Sequence, residues 1–471
     1  MKVSLIRLKT LLLWLLTILS QATLVSAQMK DPFTLEVAKK KEQSEWKRVP
    51  ELLAGIRPPA FGVKKYNVLS FSARAGGVSD CRYAFNKAIF TCSSAGGGVV
   101  EVPPGKYLIN GPIHLLSDVN LHLQEGAELV FGTHPSSYLP VVKVRWEGVV
   151  CYNYSPLIYA IGQKNIALTG AEIIDGRTPG TWSLWKKDNG GRNQDQDKLM
   201  LRKMGSDGMP ERQRIFGDSH FLRPDLIQLY ECENILLDSV TLKNSPFWTV
   251  HPVFCKNVTI RNVTIKKGTT NDDGIDPESC SGVLIENCHI STNDDAISIK
   301  AGRDQDAWGR TGTQNVVVRN CVLNSEIANA FCIGSEMSGG VQHVFLEKCR
   351  SYSADNGVNF KCNLDRGGFI KNVFIRKFDL DTCRSQVILF QMDYHGYRGG
   401  SYPPDFSGFF LSDITSRHAL SKNIRIAGVK DKPVGRVLLR QIEISGAEEP
   451  MEISFANEVL TENVDFNNKP K

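Results

Sequence analysis

The chain has 471 residues, with 56 Lys and Arg against 50 Asp and Glu, for a formal charge of +6. That excess is too small to argue for nucleic acid, and 42% hydrophobic with 23% charged residues is ordinary for a globular protein. At roughly 150 residues per domain the length suggests several domains, but repetitive β folds run longer as one unit.

The N-terminus reads as a secretory signal over residues 1–27. Lys2, Arg7 and Lys9 form a positive start, Leu11 to Leu19 is apolar, and Val25-Ser26-Ala27 is a small-residue cleavage site. The apolar run is too short to span a bilayer, and no second stretch of spanning length follows. Removing three basic residues and no acid leaves 6 − 3 = +3, which suits an anionic substrate without demanding one. The expected address is secreted or periplasmic, with no membrane attachment after processing. Residues 28–65 are polar and Lys-rich, and are expected to form a leader packed across one end of the domain.

From Tyr66 the chain becomes periodic. Ala84 to Cys92 is helix-like and stops at Gly96-Gly97-Gly98, which predicts a cap on the first coil of a stack. Short alternating segments then recur, beginning at Asn165, Asn234, Asn257, Gly282, Asn315, His343, Asn372 and Arg436. Between Asn234 and Asn372 the starts lie 23 to 33 residues apart. Period-two alternation predicts strands, and recurrence at this interval predicts a solenoid. Few hairpin signals separate the strands, so a parallel β-helix is favoured over a propeller. Asn262, Asn287 and Asn320 follow three of these strands, where a left-handed turn residue is needed. The domain is expected over residues 66–455, with a polar tail over 456–471.

The twelve cysteines include Cys288, Cys321 and Cys349 at one place in the repeat. Stacked, buried free thiols are the expectation. No CxxC pair occurs, so a zinc site is not expected.

The sharpest feature is an echo. Asn271-Asp272-Asp273-Gly274-Ile275 returns 22 residues later as Asn293-Asp294-Asp295-Ala296-Ile297. One coil separates them, so Asp273 should lie beside Asp295, and Asp272 beside Asp294, at about strand spacing. Crowded carboxylates repel, and three explanations are open. One is glycoside hydrolysis, which needs an acid and a base, with crowding raising the pKa of one member. The second is a Ca²⁺ site, since hard cations take several oxygens. The third is structural, with Asp and Asn bonding backbone amides at turns. Asp295 shares the parity of the inward isoleucines, so the pair is expected at a turn where both side chains reach solvent. On later coils Asn329 carries no acid, while Asn359 and Lys361 should face the same side as the acids.

At these residues the chain resembles glycoside hydrolase family 28, the polygalacturonase family. Asn271 to Pro277 is similar to the family's Asn-Thr-Asp-Gly-Ile-Asp motif, and Asn293 to Gly302 to Asp-Asp-x-Ile-x-Ile-Lys-x-Gly. Asn359-Phe360-Lys361 before Arg366-Gly367-Gly368 resembles its Arg-Ile-Lys segment. The early coils, from Gly96 and again from Leu121 to Ala127, agree too, so the resemblance covers about Tyr66 to Ile444. It implies an all-β, right-handed parallel β-helix, inverting hydrolysis of α-linked galacturonic acid in pectin, no cofactor and no metal; a monomer is expected. Asp294 would be the general acid, and Asp273 and Asp295 would hold and activate the water. Lys361, Asn359, Asn329 and Tyr394 would bind substrate. Two positions depart from the pattern. Asn329 stands in the Ala328-Asn329-Ala330 stretch where the family has a histidine, and Asn359 replaces its arginine. That shifts weight toward an unusual linkage such as rhamnogalacturonan, and admits an inactive pectin-binding β-helix. A Ca²⁺-dependent lyase is the rival on the same architecture. Phe331 to Gly340 resembles exo-acting bacterial members, and insertions at about 184–220 and 391–407 are expected to close one end of the cleft, which favours exo action.

Overall fold

The computed structural model describes residues 32–178, 180–186, 193–446 and 449–467. The signal segment lies outside these residues. No described helix is long and apolar enough to cross a membrane.

The strands stack in parallel, coil on coil, into a β-helix. One coil shows the logic. Strand Ser281–Glu286 turns at Asn287, runs as His289–Thr292, turns again through residues 293–296, and continues as Ile297–Ile299. Each strand pairs with its counterpart one coil on, at Thr313–Arg319, Val322–Ser325 and Asn329–Gly334. Inward residues such as Val258, Val283, Val316, Val344 and Val373 form one buried row. At the turns Asn262, Asn287 and Asn320 all have φ of 56°, the left-handed geometry that asparagine tolerates best among residues with a Cβ. A second left-handed row opens the long strands at Asn165, Asn234, Asn257, Asn315 and Asn372. There the amides bond from coil to coil, Asn234 Nδ2 to Asn165 Oδ1 at 2.9 Å and Asn257 Nδ2 to Asn234 Oδ1 at 2.7 Å.

Two sequence boundaries need correction. The leader does not cover an end. It forms helix α1 (Leu35–Gly55), which lies along the side of the stack. Its Trp46, Val49 and Ala38 pack on a row of outward residues, Leu284, Val317, Phe345, Phe374, Phe410 and Leu438, contributed by successive coils. A 21-residue helix is about 32 Å long at 1.5 Å per residue. Five coil steps at about 4.8 Å span roughly 24 Å, so the helix is long enough to cover the whole row. The second correction is the tail. Ala456–Asn467 is a strand of the last coil, in register with Val434–Ser445.

Helix α2 (Arg82–Ser94) is the N-terminal cap, with Phe85, Ile89 and Cys92 fully buried. The twelve cysteines are all buried and unpaired. Cys288, Cys321 and Cys349 form one ladder, and Cys232, Cys255 and Cys280 form a second. The solenoid is interrupted by the antiparallel hairpin Val142–Trp146/Val149–Asn153, and by an insertion containing helix α3 (Gln194–Ser206).

Candidate active site

The 22-residue echo does stack. Ile275 is in parallel register with Ile297, and Ile297 with Phe331. Two residues earlier on each coil lies one side-chain column: Asp273, Asp295, Asn329, then Asn356. Val250 pairs with Ile275, which puts Trp248 at the head of that column. The acids sit in the turn between two short strands, as their parity required. Solvent access differs from the expectation: Asp272, Asp273 and Asp295 are buried, and of the four only Asp294 stays partly exposed.

The four carboxyls have separate surroundings. Asp272 accepts from the backbone N–H groups of Gly268, Asn293 and Asp294, at 2.6, 2.9 and 3.0 Å, which pins the two turns together. Asp295 takes Lys361 Nζ at 2.7 Å and Cys332 Sγ at 3.1 Å on Oδ2, and the Asn329 side-chain amide on Oδ1. Burial alone would raise its pKa, but Lys361 and Lys300 outweigh that and hold it below the usual carboxylate range. Asp294 goes the other way. Burial and the neighbouring Asp295 charge push it up to about 6. Asp273 is also pushed well up, by burial reinforced by Asp276, Asp294 and Asp295, against the pull of Lys300 at 3.2 Å. An ionised and a protonated carboxyl on adjacent residues is the pairing that acid–base work needs.

One oxygen from each of Asp273, Asp294 and Asp295 lies within 4.8 Å of the others. That spacing could hold a cation, but the Lys300 and Lys361 ammonium groups already lie against Asp273 and Asp295 and supply the balancing charge. It is also tighter than the roughly 6.5–9.5 Å expected between acid and base in an inverting site.

Of the other sequence-predicted residues, Lys361 meets Asp295 directly, and Tyr394 lines the same cavity with Lys361 5.3 Å from its ring centroid. Asn329 and Asn359 do not face the opening. Both are buried, and Asn359 Nδ2 donates to Asn329 Oδ1 at 2.9 Å beneath Asp295. Reading the sequence missed much of the cavity wall: Trp248, Lys300, Arg303, Glu336, Glu147, Lys186, Lys198 and Arg202. Lys300 was within reach, since it lies in the Asn293 to Gly302 motif. Trp248 heads the stacked column, and Arg303 and Glu336 follow the coil strands Ile297–Ile299 and Asn329–Gly334. Glu147, Lys186, Lys198 and Arg202 come from the hairpin tip and the insertion, where no repeat sets the register. Together the wall residues form a chain of alternating charge. Arg202 pairs with Glu147 at 2.5 Å, Arg303 bonds Glu336, and Glu336 lies 3.4 Å from Lys300, which stacks 4.1 Å from the Trp248 ring centroid. The two insertions meet over this wall. Arg398 donates to Ser206 Oγ of α3 at 3.2 Å and also pairs with Asp304.

Comparison with known proteins fits this geometry. The family model for Glycosyl hydrolases family 28 matches residues 217–462, and that for Rhamnogalacturonase A/epimerase, pectate lyase-like, matches residues 65–122. The chain belongs to glycosyl hydrolases family 28. It is therefore a glycosidase on a right-handed parallel β-helix. Among solved structures it is similar to a hyperthermoactive exopolygalacturonase from Thermotoga maritima, at 35% identity and a TM-score of 0.85, covering 90% of this chain and 96% of that one. Among curated relatives it is 28% identical over 390 residues to a probable polygalacturonase of Vitis vinifera, covering 78% of this chain and 72% of that protein. An exo-poly-alpha-D-galacturonosidase of Dickeya chrysanthemi is 23% identical over 435 residues, covering 86% and 71%.

Proposed function

We propose that the chain is an exported, monomeric, exo-acting hydrolase of α-linked galacturonate chains, releasing sugar from a chain end held in the cavity. The observation that carries this reading is the Asp294/Asp295 pair, one carboxyl raised to about 6 and its neighbour held ionised by Lys361, under a roof made by two insertions. Asp294 protonates the glycosidic oxygen as the bond to the anomeric carbon breaks. Water adds to that carbon and gives its proton to Asp295, with Asp273 helping to hold the water. Both Asp295 oxygens are already hydrogen-bonded and buried. That suits a base acting on a small water better than a nucleophile reaching a sugar, and so supports inversion despite the close spacing.

Lys361 has a part in timing. A substrate carboxylate that takes Lys361 frees a lone pair of Asp295 Oδ2 for the water. The amides at Asn329 and Asn359 remove two cationic positions expected from the resemblance, but Lys186, Lys300, Lys361 and Arg202 keep the cavity suited to an anionic sugar.

The test is product analysis on galacturonate oligomers. Wild type should release monomer with inverted anomeric configuration and without unsaturated, ultraviolet-absorbing ends, and chelator should have no effect. Asp294→Asn should lose at least a hundredfold in kcat. Turnover that survives this change removes Asp294 as the acid, and unsaturated products would favour the lyase.

A further inference from the structure

Nearly every cation at the cavity has an acid beside it. Arg202 has Glu147, Arg303 has Glu336, Lys300 has Asp273, Lys361 has Asp295 and Lys198 has Asp195. Lys186 breaks the rule. Its Nζ donates to Asn271 Oδ1 at 2.8 Å, and among the described residues no carboxylate lies in ion-pair range of it. Behind it stands Arg223, fully buried, whose Nη2 donates to the same Asn271 oxygen at 2.8 Å. The remaining Arg223 bonds go to neutral oxygens too, Gln194 Oε1 at 2.6 Å, Pro246 O at 2.9 Å and Thr270 O at 2.8 Å. Two cations thus share one uncharged acceptor. Burial first, then the Arg223 and Lys198 charges, press the Lys186 pKa down against the weaker pull of Asp195 and Glu147.

Asp195 and Glu147 act on Lys186, and those two with Asp272 and Asp294 on Arg223, only from beyond hydrogen-bond range. A place for an anion in direct contact with Lys186 is thus left open, and a buried charge is best tolerated when it is paired. The arrangement is also rigid. Lys186 follows Trp182 and Trp185, which are locked in an aromatic cluster with Tyr138, Tyr154 and Phe221 at ring separations of 4.9 to 5.5 Å. Asn271 is the spacer. Its oxygen faces the two cations while its Nδ2 points to Asp294 Oδ2 at 3.4 Å. A lysine placed directly on Asp294 would lower that carboxyl's pKa and remove the acid.

We propose that Lys186, backed by Arg223, is a carboxylate-binding subsite on the N-terminal-coil side of Asp294. This rests on the galacturonate reading above. Every sugar of such a chain carries one carboxylate, and the scissile bond has a sugar on each side. Asn271 lies one coil before Asp294, and Lys361 comes from a later coil. The two lysines therefore flank the acids along the stack, Lys186 reading one sugar and Lys361 the other. Since the insertion that carries Lys186 also walls that end, the sugar it reads is the terminal one.

The experiment compares wild type, Lys186→Gln and Lys186→Arg on trigalacturonate and on its two monoesters, methylated at either terminal sugar. One charge-assisted hydrogen bond sets the expected scale, so Lys186→Gln should lose roughly ten- to a hundredfold in kcat/KM on the ionised substrate. On one of the two monoesters it should match wild type, and Lys186→Arg should restore the preference for the free acid. Full activity of Lys186→Gln on ionised trigalacturonate overturns the subsite. So does an equal loss on all three substrates, which would make Lys186 a positioning residue acting through Asn271. If wild type leaves trigalacturonate intact, the galacturonate reading fails and the subsite fails with it.

Discussion

The alkaline limb of activity is a direct measure of the acid. Asp294 must carry a proton to donate it, and burial together with the Asp295 charge raises its pKa from 3.8 to about 6. The sign follows: activity is present below that value and is lost as pH rises through it. With a pKa of about 6, roughly nine-tenths of the group is protonated at pH 5 and one-tenth at pH 7, so kcat/KM should fall about tenfold between them. Asp295 titrates below the usual range, so the acid limb should lie below pH 4 and leave a broad plateau. The assay is initial-rate release of reducing sugar from a galacturonate oligomer across pH 3.5–8.5 at constant ionic strength. Constant activity to pH 8 would mean that Asp294 is not the proton donor or that its surroundings are misread.

Arg398→Ala removes the link between the two insertions, and products should change from monomer alone to a mixture of short oligomers on chromatography. Trp46→Ala deletes a buried ring that lies edge-on to Phe345 and beneath the Arg376 guanidinium. A loss of about 3–5 kcal/mol in urea unfolding is expected with the active-site pH profile unchanged. Asp276 is buried, accepts no hydrogen bond among the described residues, and is raised from 3.8 to about 7. An unfolded Asp ionises near pH 4 while the folded one keeps its proton, so stability falls as pH rises between those values. In Asp276→Asn the melting temperature should decline less over pH 4–7 than in wild type, and parallel curves would contradict the raised value.

Most of the fold was legible because the solenoid writes itself into sequence at a regular interval. The left-handed asparagines and the stacked Asp pairs followed from counting residues. What was missed lies where counting stops. Lys186, Lys198, Arg202 and Glu147 come from segments inserted between coils, whose register nothing local sets. The error over α1 is different, because its signal was present. Val258-Thr259-Ile260 alternates as a strand with one wet face should. Val283-Leu284-Ile285, Val316-Val317-Val318, Val344-Phe345-Leu346 and Val373-Phe374-Ile375 do not, and their middle residues are apolar. Apolar residues on both faces mean both faces are covered, and the leader, with Ala38, Trp46 and Val49 on one side, covers the outer one. Asn329 and Asn359 take their expected substrate role from the resemblance alone; in the structure the Asn329 amide donates to Asp295 and the Asn359 amide donates to Asn329 in turn.

Helix α1 also changes how the molecule should come apart. In a solenoid each coil touches only its neighbours, so opening can begin at an end and travel inward one coil at a time. Here one helix grips six coils, from Leu284 to Leu438, and Lys39 near its start pairs with Glu462 in the last coil at 2.8 Å. The terminal coils cannot fray without losing a contact shared with the coil that carries Asp294 and Asp295. Amides of the outer C-terminal strands should therefore exchange with the slow, global opening of the stack, and detaching α1 should let them exchange in sequence from the end.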